Sequence, residues 1–399
     1  MSGAWRALEA ALAGALAEAE GKGRRRRLRP MTRIAGGRVM LADGRTLIDF
    51  SSNDYLGLSL HPQVAARAAD YAQRLGAGSA GSRLVTGTLI EHLQVEARLA
   101  AFKRAEAALL FASGYQANAS ILPALIGLLP APVKVFADRL NHASLHAGLA
   151  QADLRQIRFR HNDLDHLERQ LQALPNQGAS RLIVTETVFS MDGDRADLAG
   201  LADLADRYDA ILYLDEAHAT GVFGPHGAGL AAELPACPAG GRAPAIVMGT
   251  LGKALGGFGA YVAGPQLLID ALVQACGGFI YSTAPPPAVL GALDAALDLV
   301  PGMGAERAAL QAAAGRVRRA AAARGFDTLG SSTQIVPLQL GAESWAMKAM
   351  ADLEAAGLLG VAIRPPTVPE GSSRLRLSLS TVHSDADIDR LVEAIGALA

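Results

Sequence analysis

From about residue 90 to residue 264, short apolar runs alternate with amphipathic segments, and this alternation constrains the fold more than any other feature of the chain. AALLFAS, VKVFAD, QIRFRH, RLIVTET, AILYLDE, AIVMGT and GAYVAG read as strands, while intervening segments such as LAGLADLADRYDA repeat their apolar residues at helical spacing. Helices that separate strands in this way cover the faces of a mostly parallel sheet, so the expectation is an α/β layer architecture.

The flanks read differently. MSGAWRALEAALAGALAEAE is an alanine-rich amphipathic helix interrupted by Glu9, Glu18 and Glu20, and the basic run GRRRRLRP (residues 23–30) follows it. VMLADGRTLIDF then reads as strand, turn, strand, with Asp43-Gly44 as the hairpin turn. Beyond TAPPPAV the sequence predicts one long alanine-rich helix from Leu290 toward Gly325, strands in TQIVPLQL, VAIRPPTV and RLRLSLS, and a last helix capped by Ser384. The expected organisation is an N-terminal helix with short strands (residues 1–45), a large domain (46–289) and a smaller α+β domain (290–399).

Composition narrows the class of partner. A net charge of −1 over 399 residues gives no electrostatic reason to expect a nucleic-acid or membrane surface. Cys237 and Cys276, the only cysteines, are too few for a disulfide framework or a cysteine-rich metal site, so a reducing, cytoplasmic setting is expected. The first helix lacks the unbroken apolar core of a secretory signal. ILPALIGLLPAP is cut by prolines and falls short of the ~20 residues a membrane span needs.

Three motif matches have bland readings. GAGSAG (76–81) has dinucleotide-binding spacing but follows a helix-like run instead of a strand. LYLDEAH (212–218) resembles the acidic strand end of a nucleotide-driven motor, yet Ala254 follows Gly252-Lys253 where a phosphate loop needs a hydroxyl. His142 and His146 have the spacing of two zinc ligands, but Ala143 stands where a zinc-protease helix has its glutamate, and no metal is expected.

The polar residues that follow the strands carry more. Ser190 comes after RLIVTET, Asp215 and His218 lie at and after the end of AILYLD, and Thr250 and Lys253 at and after the end of AIVMGT. In a parallel sheet these groups gather along one edge, where such sheets bind ligands. Lys253, within TLGKALGGFGA, has no carboxylate beside it in the sequence. A lysine, a carboxylate, hydroxyls and an imidazole together suit pyridoxal 5′-phosphate: its aldehyde takes the amine, its ring nitrogen needs an acidic partner and its phosphate needs hydroxyl and N–H donors.

SSNDYLGL (51–58), FASGYQAN (111–118), DRLNHASLHAG (138–148), FSMDGD (189–194), DEAHATG (215–221), TLGKALGG (250–257) and IRPPTVPEGSSRLRLS (363–378) resemble the motifs of the α-oxoamine synthases, a branch of the fold-type I pyridoxal-phosphate enzymes, over about residues 20–395. The resemblance implies an aspartate aminotransferase-like large domain with a smaller C-terminal domain, and a homodimer with active sites at the subunit interface. It assigns Lys253 to the cofactor aldehyde and to α-proton transfer, Asp215 to the ring nitrogen, His218 with Ser190 to the phenolic oxygen and His142 to the ring face. Gly114, Tyr115 and Thr250 would hold the phosphate, with Ser282 and Thr283 reaching that of the other subunit. Arg364 would take the amino-acid carboxylate, Asn53, His142 and Thr367 would line the substrate site, and Arg27 would contact the acyl substrate, with Arg24, Arg25 and Arg26 a solvated basic patch. AIRPPTVP resembles the branch that condenses L-alanine with a pimeloyl thioester, carried as pimeloyl-CoA or pimeloyl-ACP; another branch, joining glycine to acetyl-CoA, is the alternative.

Overall fold

The computed structural model describes residues 3–173, 178–234 and 245–398; Cys237 lies outside them. Its strands are β1 (Met31–Ile34), β2 (Arg38–Leu41), β3 (Thr46–Asp49), β4 (Ala107–Phe111), β5 (Val133–Asp138), β6 (Ile157–Phe159), β7 (Ser180–Glu186), β8 (Ala210–Asp215), β9 (Ile246–Thr250), β10 (Ala260–Gly264), β11 (Ile335–Gly341), β12 (Leu358–Leu359), β13 (Val361–Ile363) and β14 (Ser373–Ser378). The seven runs expected to be strands between residues 107 and 264 form one sheet, in the order β4-β10-β9-β8-β7-β5-β6. β9, β8, β7, β5 and β6 pair in parallel, while β10 runs antiparallel to both β9 and β4. β4 therefore shares the direction of the parallel strands, and six of the seven carboxyl ends meet one edge. Helices cover both faces, so β4 and β10 are buried along their whole length and read as continuous apolar runs rather than alternating ones.

Two smaller sheets complete the chain. β1, β2 and β3 form an antiparallel meander that β12 extends in parallel beside β3. The Asp43-Gly44 turn holds as expected: Gly44 has φ +86°, and the Leu41 N–H donates to the Arg45 carbonyl at 2.9 Å. β14 lies between β11 and β13, antiparallel to both. β13 stops at Ile363 instead of running through VAIRPPTV, because Pro365 and Pro366 have no N–H to give a ladder.

The long helix expected from Leu290 to Gly325 is two helices, Pro287–Leu299 and Gly304–Ala323, set at 77°. The break falls at Val300–Gly302, where the Pro301 ring excludes a continuing α-helix. The first segment packs against helix Pro62–Leu75 with Gly291 at the contact, where a Cβ would stand 2.4 Å from the Arg67 carbonyl oxygen, and the second packs against helix Asp385–Ala397. The bent pair aside, no single helix among the described residues is long and apolar enough to cross a membrane. Helix Gly3–Gly21 buries none of its residues and leaves Trp5, Leu8, Leu12 and Leu16 open.

Candidate active site

Asp215 ends β8 and stands level with Glu186 at the end of β7, so two carboxyl groups meet at the shared sheet edge. Asp215 is buried, and both its oxygens meet donors: Oδ2 accepts from Asn118 Nδ2 at 2.8 Å and Oδ1 from the Ala217 N–H at 2.9 Å. Asn118 is itself fixed, its Oδ1 accepting from Tyr213 Oη at 2.8 Å and its amide donating to Ser144 Oγ at 2.9 Å. Ser144 Oγ lies 2.7 Å from His142 Nδ1. The His142 N–H donates to Glu186 Oε1 at 2.6 Å. Burial, with the negative charge of Asp215 adding to it, raises the Glu186 carboxyl well above the usual range.

Lys253 lies in the loop that leaves β9, with Nζ 2.8 Å from His218 Nε2. His218 Nδ1 is 2.6 Å from Tyr55 Oη, and Tyr55 donates onward to Asn53 Oδ1 at 3.0 Å. This order assigns the proton of His218 to Nδ1 and leaves Nε2 to accept from the lysine. Burial, reinforced by Lys253 and Arg376, holds the imidazole well below its ordinary value and so neutral. Burial also pushes the Lys253 amine down to about 8, against the opposing pull of Asp215 and Glu186. Arg376 closes the cluster, giving hydrogen bonds to Asn53 Oδ1 at 3.2 Å and to the Ser190 carbonyl at 2.6 Å. Lys253, His218, Asn53 and Ser190 are thus joined through Tyr55 and Arg376, and Asp215 is joined to His142 through Asn118 and Ser144.

Phe111 and Thr250 are both level with Ala260, so the strand end that leads to Gly114 stands level with Thr250 across β10. Gly114 begins helix Gly114–Leu128, capped by Ser113, whose side chain accepts from the Gln116 N–H. A Cβ at position 114 would stand 2.6 Å from Thr250 Cγ2. Glycine thus lets the helix N-terminus pack against Thr250, and the N–H groups of such a terminus suit an anion. Tyr115 is exposed. Ser282 Oγ accepts from Gln116 Nε2 of the same chain at 2.6 Å, and Thr283 bridges to Ser82.

The loop with Arg364 and Thr367 lines a groove of about 610 Å³ together with Arg24, Arg25 and Arg26. Arg364 donates to the Gly23 carbonyl. Arg24, far from being a freely solvated cation, pairs with Glu343 and Glu370. Arg27 is not among the groove residues; it is 68% exposed and pairs with Glu20 at 3.0 Å. His142 and His146 turn to different partners, Ser144 and Gln156, as two separate imidazoles and not a ligand pair.

The residues at the sheet edge fit pyridoxal 5′-phosphate on three counts: a glycine-floored helix N-terminus for the phosphate, a donor-fixed carboxylate, and a lysine whose amine burial has brought near neutrality. This defines the class of molecule. The chain matches the family model described as aminotransferase class I and II over residues 45–395, and it belongs to that family. More particularly, it is 58% identical to the 8-amino-7-oxononanoate synthase of Gluconacetobacter diazotrophicus, over 90% of this chain and 89% of that one. Among solved structures it is similar to a serine palmitoyltransferase variant from S. paucimobilis with bound PLP–myriocin aldimine (TM-score 0.88, 28% identity, 97% and 96% of the two chains). It is also similar to the 8-amino-7-oxononanoate synthase of Francisella tularensis (TM-score 0.74, 28% identity, 88% and 96%). The fold-type I architecture, the α-oxoamine synthase resemblance and the pyridoxal-phosphate cofactor expected from the motifs are borne out.

Five residues of the site went unassigned in the sequence: Asn118, Ser144, Tyr55, Arg376 and Glu186. Each lies in or beside a motif or strand run already singled out, such as Asn118 in FASGYQAN and Tyr55 in SSNDYLGL. Polarity at those positions was the available signal, and their partners were not.

Proposed function

We propose that the chain catalyses the decarboxylative condensation of L-alanine with a pimeloyl thioester, giving 8-amino-7-oxononanoate, CO₂ and the free thiol, a step toward biotin. The proposal extends to a cytoplasmic homodimer with active sites at the subunit interface, and to the roles of individual residues below. The observation that carries it is the placement of Asp215 and Lys253 at and beyond the ends of two adjacent parallel strands, β8 and β9, within a chain whose curated relatives include 8-amino-7-oxononanoate synthases.

Bound pyridoxal phosphate supplies an electron sink for the α-carbon of the amino acid. Asp215, oriented by Asn118 and the Ala217 N–H, holds the ring nitrogen, and His142 covers the ring face. Lys253 Nζ moves the α-proton. A base is effective when its pKa lies near the working pH, and about 8 meets that condition. Neutral His218, ordered by Tyr55, offers a hydrogen bond without competing for the proton. Gly114, Tyr115 and Thr250 hold the phosphate, with Ser282 and Thr283 acting across the subunit interface. Arg364 takes the alanine carboxylate with its planar fork, and Asn53 and Thr367 line the substrate site; Arg27, outside the groove and paired with Glu20, would have to leave that partner to meet the acyl substrate. The new bond joins the alanine α-carbon to the thioester carbonyl, the C–S bond breaks to release a thiolate that takes a proton from solvent, and the carboxylate leaves as CO₂, its place at the α-carbon taken by the proton that Lys253 returns.

The test is a coupled measurement of thiol and CO₂ release, comparing alanine, glycine and serine with pimeloyl-CoA, pimeloyl-ACP and acetyl-CoA. Equal release of both products from alanine and a pimeloyl thioester is expected. Turnover of glycine with acetyl-CoA, and none of alanine with either pimeloyl carrier, would overturn the assignment.

A further inference from the structure

Residues 189–194 carry Ser190 into the site on a turn that closes on itself. The Phe189 N–H donates to the Asp194 carbonyl at 3.1 Å and the Gly193 N–H to the Phe189 carbonyl at 2.9 Å. Gly193 has φ +69°, and a Cβ there would stand 2.1 Å from the Ile335 carbonyl oxygen, so the turn is seated directly on β11. The C-terminal part of the chain grips one side: Arg374 pairs with Asp192, Thr333 Oγ1 donates to the Gly193 carbonyl at 2.8 Å, and Arg376 donates to the Ser190 carbonyl.

His161 grips the other side. Its Nδ1 lies 3.1 and 3.2 Å from the two oxygens of Asp138 at the end of β5, and its Nε2 lies 2.9 Å from Asp194 Oδ2. Asp138 is fully buried and held in place by the Leu140 and Asn162 N–H groups. The His161 ring also meets the Phe189 ring edge-on, with centroids 4.4 Å apart. Both nitrogens face carboxylates, so both carry hydrogen, which makes the ring a cation. Burial opposes that charge, but the hydrogen bonds to Asp138 and Asp194 outweigh it and hold the imidazole up at about 9. His161, Asp192 and Asp194 lie close enough to hold a metal ion. Arg374 already neutralises Asp192, however, and both imidazole nitrogens are engaged, so the geometry favours an internal ion-pair network.

We propose that His161, as a doubly bonded cation between Asp138 and Asp194, is the positioning residue that fixes the 189–194 turn, and with it Ser190, against the edge of the large sheet. Through Arg376 the same turn bears on Asn53, Tyr55, His218 and Lys253, so the consequence for catalysis rests on the reading of the site given above.

The experiment is hydrogen exchange on the cofactor-free chain, which depends on neither cofactor nor substrate and so separates this proposal from the assigned reaction. His161→Phe keeps an aromatic ring against Phe189 and removes both charged hydrogen bonds; amides 189–194 should exchange on the order of 10-fold faster, while those of β8 keep their wild-type rates. In the reconstituted enzyme the same variant should lose roughly 10-fold in kcat with KM for the amino acid little changed. Should His161→Phe fail to fold, Asp194→Asn removes one anchor only, and the turn should still exchange about 3-fold faster, with the His161 titration displaced to lower pH. Wild-type exchange across 189–194 in a folded variant of either kind overturns the proposal.

Discussion

Lys253 is expected to make the cofactor-free protein less stable at neutral pH than at alkaline pH, and the size of the effect follows from its surroundings. Burial lowers its pKa from an ordinary 10.5 to about 8 in the folded chain. The unfolded chain, where the amine is hydrated, keeps the ordinary value. Between these two values the unfolded state binds more protons, so stability rises as pH climbs from about 8 to about 10.5. At 1.36 kcal/mol per pKa unit the full difference is about 3 kcal/mol, and because the side chain is only half-buried this is an upper bound. Lys253→Met keeps the stem and removes the titrating group. Urea unfolding of both cofactor-free proteins at intervals from pH 7 to pH 10.5 isolates the term, because every other titrating group not coupled to Lys253 cancels in the difference. The variant's stability relative to wild type should be most favourable at pH 7 and decline by up to about 3 kcal/mol by pH 10.5. A difference that stays constant across this range would refute the claim that burial has prepared the amine to act as a base.

Three further outcomes are expected. Gly114→Ala drives a Cβ to 2.6 Å from Thr250 Cγ2 at the helix N-terminus and should weaken pyridoxal-phosphate binding by about 10-fold in fluorescence titrations, with the fold intact by circular dichroism. Lys103→Met leaves the fully buried Glu216 without its cation and should cost roughly 3–5 kcal/mol in denaturant unfolding, most of it recovered in the Lys103→Met, Glu216→Gln double variant. Arg364→Lys replaces a fork with a point charge and should raise KM for alanine about 10-fold in steady-state assays with kcat much less affected.

The large sheet was legible because its strands are covered on both faces, which writes them as unbroken apolar runs that end abruptly in polar residues. Strand direction was less legible: GAYVAG returns antiparallel between β9 and β4, and nothing in those residues distinguishes it from its parallel neighbours. The helix break at Pro301 was written in the sequence, yet alanine-rich segments on either side masked it. Of the site, Asp215, His218, Thr250 and Lys253 stood out because each lies at a strand end or within a few residues of one. Asn118 and Arg376 did not, since what makes them matter is contact with Asp215, 97 positions from Asn118, and with Asn53, 323 positions from Arg376. Four consecutive arginines could not be told apart by spacing; the fold separates them, placing Arg24, Arg25 and Arg26 in the groove beside Arg364 and pairing Arg27 with Glu20 outside it.

Glu186 shows how the pieces act on one another. Parallel pairing of β7 with β8 sets it level with Asp215, and two adjacent carboxyl groups in a buried site do not readily ionise together. Solvation of the two is unequal: among the described residues Asp215 has Asn118 and the Ala217 N–H to meet its oxygens, whereas Glu186 has the His142 N–H and is raised well above the usual carboxyl range by burial and the charge of Asp215. Glu186 thus holds its proton more firmly than a hydrated carboxyl group does. A second anion would hold the lysine proton more firmly, since both carboxyl groups act to raise its pKa. The more firmly Glu186 keeps its proton, the more burial dominates at Lys253, so the amine proposed above to move a proton is tuned by a carboxyl group to which no part in moving it is assigned.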